Sequence, residues 1–233
     1  MRVVKKEGYY TESGFFVVAV KGSGGMNPGE MAAVILAGGR SSRMGENKLL
    51  LPLGGSTVIG CLIHTLQDLF AEIIVVTDHP NAYLSMPVQV AGDVFPSPVR
   101  NSLTGIHAGL RVSSFNYNFV IAGDMPFVQP DLVRYLCELC EGYDVTIPRE
   151  VQHLQPLCAV YTKNCLPHME ELLECGWYKI IDFFPGVRVR QIDTNALKVY
   201  DPELLSFFNV NNPEDYLHAV KIAEERTEEA EKI

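Results

Sequence analysis

Two periodicities alternate along most of this chain. MAAVILA, beginning at Met31, is a continuous apolar run, the pattern of a strand buried on both faces. A glycine-rich loop follows. Ser56 then opens TVIGCLIHTLQDLF, whose apolar residues recur at helical spacing. Beyond it the pattern reads EIIVVT (strand), VQVAGD (short strand), LTGIHAGLRV (helix), FVIAGD (strand) and PDLVRYLCELC (helix). DVTIP and LCAVYT (strands), LPHMEELLEC (helix), VRVRQID (strand) and PEDYLHAVKIAEER (helix) complete it. Strands alternating with helices of this length predict βαβ units: an α/β fold with a doubly wound, mostly parallel sheet in three layers. Such sheets bind ligands at the carboxyl ends of their strands, where the strand order reverses.

The ends of the chain differ from this pattern. Residues 1–30 hold one short apolar run, Phe15 to Val20, followed by Gly, Ser and Pro punctuation. The run is too short and too late for a secretory leader. It reads either as an extra edge strand with a flexible linker or as upstream sequence, with Met26 and Met31 as alternative starts. The domain is expected to span residues 31–220, and the charge-rich residues 221–233 to form a solvated helix end that frays.

Composition narrows the function. The chain has 233 residues, 47% hydrophobic and 20% charged, with a formal net charge of −9. That balance is poor for binding nucleic acid or an anionic membrane, and no apolar run approaches the roughly 18–20 residues needed to span a bilayer. A soluble, cytoplasmic protein with reduced thiols is expected. Of the six cysteines only Cys137 and Cys140 form a C-x2-C pair, inside a predicted helix and without the further ligands of a zinc site. The six histidines show no metal-ligand spacing on one helix, and His107 reads as a packing or capping residue.

The most informative segment is LAGGRSSRMGENKLLLPLGG, residues 36–55. Gly38 and Gly39 lack a Cβ and accept positive φ, so the backbone can approach a ligand and aim its N–H groups at a phosphate. Arg40, Arg43 and Lys48 are the only Lys or Arg residues between Gly22 and Val99. An acidic protein that gathers its cations in one glycine-rich turn is building an anion site. The spacing matches neither G-x4-G-K-[ST] nor G-x-G-x-x-G.

Two aspartates stand at strand ends. Asp124 in FVIAGDMPF faces the expected crevice, and a carboxylate there suits Mg2+, which takes one or two protein carboxylates plus phosphate oxygens and water. Asp93 in VQVAGD is a second acidic group near the same rim. Each could instead cap a helix or turn. In FFNVNNPEDY, Asn209 and Asn211 flank Val210 and point to one side of an extended segment. Asn212 caps the following helix, with Pro213 at its first position.

These segments together resemble the molybdenum cofactor guanylyltransferase family of nucleotidyltransferases. LAGGRSSRMGENKLLLPLGG, NSLTGIHAGL, GDMPFV, HLQPLCAVY and FNVNNPED occur in the family's order across residues 31 to about 220. The resemblance implies a Rossmann-like nucleotidyltransferase fold and transfer of GMP from GTP to the terminal phosphate of molybdenum-molybdopterin, with Mg2+ as cofactor. It implies that Leu36, Ala37, Gly38 and Gly39 contact the nucleotide, with Asp93 and Thr77 beside them. Lys48 and Arg43 match phosphate cations, Asp124 matches the Mg2+ ligand, and Asn209 and Asn211 match residues near the pterin. Molybdoenzyme apoproteins or their chaperones are implied as downstream partners. Thr77 stands where the family often has Asn, Asn101-Ser102-Leu103 replaces Gly-Pro-Leu, and KLLLP at 48–52 is favoured by a related cytidylyltransferase group. A cytidylyltransferase on the same pterin, another sugar- or polyol-phosphate nucleotidyltransferase, and a non-catalytic carrier of nucleotide or pterin are the competing readings.

Overall fold

The structure is a computed structural model and describes residues 7–10, 16–19, 25–38, 47–92, 95, 101–150 and 153–230. Near the start, β1 (Glu7–Tyr10) and β2 (Phe16–Ala19) pair antiparallel as a small sheet of their own. The run read as an extra edge strand thus finds its partner locally rather than on the main sheet.

The main fold starts with β3 (Ala32–Leu36), followed by a short hairpin of β4 (Pro52–Leu53) and β5 (Ser56–Thr57) and then α1 (Val58–Gln67). Next come β6 (Glu72–Val76), β7 (Gln89–Ala91), α2 (Ser102–Val112), β8 (Tyr117–Ala122) and α3 (Pro130–Glu138). The second half holds β9 (Val145–Glu150), β10 (His153–Leu154), β11 (Cys158–Thr162), α4 (Leu166–Glu174), β12 (Val189–Asp193), α5 (Thr194–Leu197) and α6 (Pro213–Ala230). Helix α6 continues through the charged stretch, up to Ala230.

The sheet order is β10-β9-β11-β8-β3-β6-β7, with β12 also paired to β9. Strands β7, β6, β3 and β8 are mutually parallel, whereas β11 runs antiparallel to both β8 and β9. The expected mostly parallel, three-layer α/β architecture is therefore present, with β11 reversed inside it and the short β10 reversed at its edge.

Alternation along β3 explains the layering. Ala33 and Ile35 enter one core with Ile59, Leu62 and Leu66 of α1 and Leu132 and Leu136 of α3. Ala32 and Val34 enter the other, with Leu103, Ile106 and Leu110 of α2 and Met169 and Leu173 of α4. Each larger side chain among them (Val, Leu, Ile or Met) contributes about 1.5–3 kcal/mol when taken fully out of water, so the continuous apolar run is explained by a layer of helix on each face. Helix α2 rides close to β3 because Gly109 faces Val34, where a Cβ would overlap the valine side chain. Asn101 starts α2 with a capping box, accepting from Leu103 N and Thr104 N while Thr104 Oγ1 accepts from Asn101 N.

From β3 the chain moves outward through β6 to β7, then returns through α2 to β8 on the other flank of β3. The reversal of strand order falls between β3 and β8. Their register sets Leu36 opposite Ala122, so Ala37–Gly38 and Gly123–Asp124 leave the sheet side by side. Gly123 N donates to Leu36 O at 2.9 Å.

Candidate active site

Lys48 is held at this crevice by its immediate neighbours. Asn47 caps a single 3-10 turn, Lys48–Leu50, accepting from Leu49 N at 3.2 Å, and Leu49 buries its side chain in the core. A Cβ on Gly123 would lie 3.2 Å from Leu49 Cδ1 and 3.1 Å from Leu36 O. Glycine at 123 therefore leaves room for the turn to close against the end of β8.

The Lys48 ammonium donates to Asp124 Oδ2 at 2.7 Å, to Val210 O at 2.8 Å and to Asn211 Oδ1 at 3.3 Å. An ammonium has three protons, and each has an acceptor. Both ends of the ion pair remain about one-fifth exposed, at 19% and 18%. Val210 N in turn donates to Asp124 O at 2.9 Å. Three stretches far apart in the chain thus meet at one cation. Asn211 is oriented by α6, because Asp215 Oδ2 accepts from Asn211 N and Asn212 N, and Asn212 Oδ1 accepts from Asp215 N. This reciprocal pair is the cap expected at Asn212.

The remaining residues singled out above fall into four groups. Leu36, Ala37 and Gly38 sit at the carboxyl end of β3, and a Cβ built on Gly38 would meet nothing within 4 Å. Asn209 is tied back by its amide to Phe207 O at 2.8 Å, so only Asn211 of the pair meets Lys48. Thr77 is buried, donates to Ala37 O at 3.3 Å and accepts from His79 N at 3.1 Å; it fastens the strand ends instead of opening to the crevice. Gly39, Arg40, Arg43 and Asp93 lie outside the described residues. Sequence reasoning missed the Val210 carbonyl, a main-chain acceptor that no residue type signals.

The other candidate chemistry resolves into packing. Cys137, Cys140 and Cys158 are buried and free. Burial pushes the Cys140 and Cys158 thiols up to about 12 and keeps them protonated, which is the inert state. His107 is buried between α2 and α4, with Nε2 at 2.9 Å from Glu170 Oε1 and its ring edge-on to Phe95. No group of three or more His, Cys, Asp or Glu residues could hold a metal among the described residues. No helix among them is long and apolar enough to cross a membrane.

A lysine–aspartate pair at the order reversal of a doubly wound sheet, beside a glycine-rich exit from its first strand, is the arrangement of an enzyme that handles nucleoside triphosphates. Residues 33–185 match the MobA-like NTP transferase domain, and the chain belongs to that family of nucleotidyltransferases. It is 42% identical over 195 residues to a probable molybdenum cofactor guanylyltransferase of Pelotomaculum thermopropionicum, covering 84% of this chain and 94% of that one. A protein of the same description from Natranaerobius thermophilus is 38% identical, over 82% and 95% of the two chains. Among solved structures, molybdopterin-guanine dinucleotide biosynthesis protein A from Archaeoglobus fulgidus superposes with a TM-score of 0.74 at 30% identity, covering 84% of this chain and all of that one.

Proposed function

We propose that this nucleotidyltransferase moves GMP from GTP to the terminal phosphate of molybdenum-molybdopterin and releases pyrophosphate. The observation that carries the reading is the Lys48–Asp124 pair, 2.7 Å apart where β3 and β8 leave the sheet. The names of the relatives support the choice of GTP and the pterin.

The acceptor phosphate is largely a dianion at neutral pH, so no general base has to remove a proton. One of its oxygens forms a bond to the α-phosphorus as the bond from that phosphorus to the bridging oxygen breaks, and the electron pair leaves with pyrophosphate. The protein's contribution is to align two anions and neutralise their charge. Lys48 presents its ammonium to the phosphates once nucleotide oxygens replace some of its present acceptors. The backbone leaving β3 at Ala37 and Gly38 lies beside the bound nucleotide. Asn211, held by Asp215, fixes the acceptor side of the same cation.

Asp124 also suits Mg2+. Its Oδ1 accepts no hydrogen bond among the described residues, and Asn211 Oδ1 is a second hard oxygen donor on the same cation. One carboxylate with an amide oxygen leaves the remaining positions to phosphate and water, as Mg2+ prefers. When bound there, the ion would supply charge neutralisation on the triphosphate.

The test is incubation with the pterin cofactor, Mg2+ and GTP, CTP, ATP or UTP in turn, followed by product mass. The guanine dinucleotide and pyrophosphate are expected with GTP alone. A cytosine product would overturn the choice of base, and tight nucleotide binding with no pyrophosphate from any triphosphate would make the protein a carrier.

A further inference from the structure

Tyr83 lies in the connection between β6 and β7, away from every segment considered so far. It is among the largest side chains wholly removed from solvent, although its neighbour Leu84 is 68% exposed. A fully buried phenol needs a partner for its hydroxyl, since an unmade hydrogen bond there costs more than phenylalanine would. Tyr83 has partners. Asn47 Nδ2 donates to its oxygen at 3.2 Å. The Thr77 hydroxyl is its other side-chain partner. Burial raises the phenol above its ordinary range, and these two bonds draw it part of the way back.

Thr77 continues the chain of bonds. Its one proton goes to Ala37 O at 3.3 Å, and its oxygen accepts from His79 N at 3.1 Å. Asn47 is occupied at its other atom, because Oδ1 accepts from Leu49 N and so closes the turn that carries Lys48. Asn47 donates to the phenol and Thr77 donates to the Ala37 carbonyl, with the Tyr83 hydroxyl between them. Ala37 and Asn47 are the residues at which the glycine-rich loop leaves β3 and delivers Lys48. They belong to different elements, and these side chains link them.

We propose that Tyr83 is a positioning residue for the nucleotide loop: its hydroxyl, acting between Asn47 and Thr77, sets the spacing between the loop's two ends and so the fit of the triphosphate. The proposal rests on reading that loop as the nucleotide site. Tyr83 touches neither nucleotide nor acceptor; it acts through Asn47 on Lys48 and through Thr77 on Ala37.

The experiment uses the full chain. Binding of GTP with Mg2+ is measured by calorimetry, and KM for GTP and for the pterin is measured separately, for Tyr83→Phe, Thr77→Val, the double variant and Thr77→Ser. Tyr83→Phe and Thr77→Val are each expected to weaken GTP about tenfold, the scale of one well-placed hydrogen bond. The double variant is expected to match either single one, because both break the same chain of bonds. Thr77→Ser keeps the hydroxyl and recovers most of the affinity, and KM for the pterin stays within about twofold throughout. GTP affinity unchanged in Tyr83→Phe would overturn the proposal. So would additive losses, or both KM values rising together with a lowered melting temperature, which mark a merely structural role. Failure of the unaltered protein to bind GTP, CTP, ATP or UTP would instead remove the nucleotide reading, and this proposal with it.

Discussion

Two aspartates in this molecule face cations, and they are built differently. Asp144, just before β9, is buried and surrounded by donors. It accepts from Arg188 N at 2.9 Å and Arg188 Nε at 3.2 Å, from Asn164 Nδ2 at 3.0 Å and from Thr162 Oγ1 at 3.4 Å. Those partners come from the segments around β11 and β12, so one carboxylate ties three parts of the sheet's mixed half together. Asp124 is partly open and has one charged side-chain donor, Lys48. A carboxylate saturated by its own protein has no capacity left for a ligand. One that keeps an oxygen without a donor among the described residues, at a strand-order reversal, does. The number of free acceptor sites, more than the ion pair itself, separates the aspartate proposed for the chemistry from the structural one.

Substituting each aspartate tests that distinction, and the largest effect is expected at Asp124. Asp124→Asn should fold with an unchanged melting temperature and lose on the order of 10²–10³ in turnover, as for removal of one charge-stabilising group from a transfer site. Pyrophosphate release under steady state reads this directly, and near-normal turnover would place Asp124 with Asp144. Asp144→Asn should do the reverse: roughly 1–3 kcal/mol less stability in urea and little change in turnover at neutral pH.

The same aspartate predicts an acid dependence. Burial alone would raise the Asp144 carboxyl, but bonds from Arg188 and Asn164 outweigh it and hold the group at about 2, below its ordinary 3.8. The unfolded chain therefore binds this proton more readily than the folded one. The stabilisation is complete above about pH 3.8 and is lost as pH falls through about 2. Acid unfolding curves of Asp144→Asn should lack that component. The smallest effect is expected from Arg188→Gln. The Arg188 side chain is 66% exposed and its backbone N–H stays on Asp144, so the cost should be small beside that of Asp144→Asn and should shrink further in salt. A loss as large as that of Asp144→Asn would show that the guanidinium, not the backbone, holds the aspartate.

Much of this was legible in the residues. The apolar run of β3, Lys48 after it, the Gly-Asp ending of β8 and the Asn-Pro start of α6 are local signals, and the structure puts each where it was expected. Strand direction was not legible. LCAVYT announces a buried strand but nothing in its periodicity says that β11 runs opposite to β8. The role of Thr77 was hidden too, since a threonine at a strand end reads the same whether it turns toward the crevice or inward to Ala37. Tyr83 gave no signal at all, because a single tyrosine in a connection acquires meaning only when the fold brings Asn47 and Thr77 to it.

Val210 has a consequence for how the chain can be cut or joined. Its N–H rests on the Asp124 carbonyl and its carbonyl on the Lys48 ammonium, so this one residue is gripped on both sides by the two residues proposed for the chemistry. It lies beyond residue 185, where the family match stops. A fragment ending there would keep the sheet's reversal but leave its ammonium short of two acceptors, Val210 O and Asn211 Oδ1. Any displacement at the start of α6, by a tag, a fusion or a docked protein, would be felt at the lysine through the few backbone bonds between Val210 and Asn212.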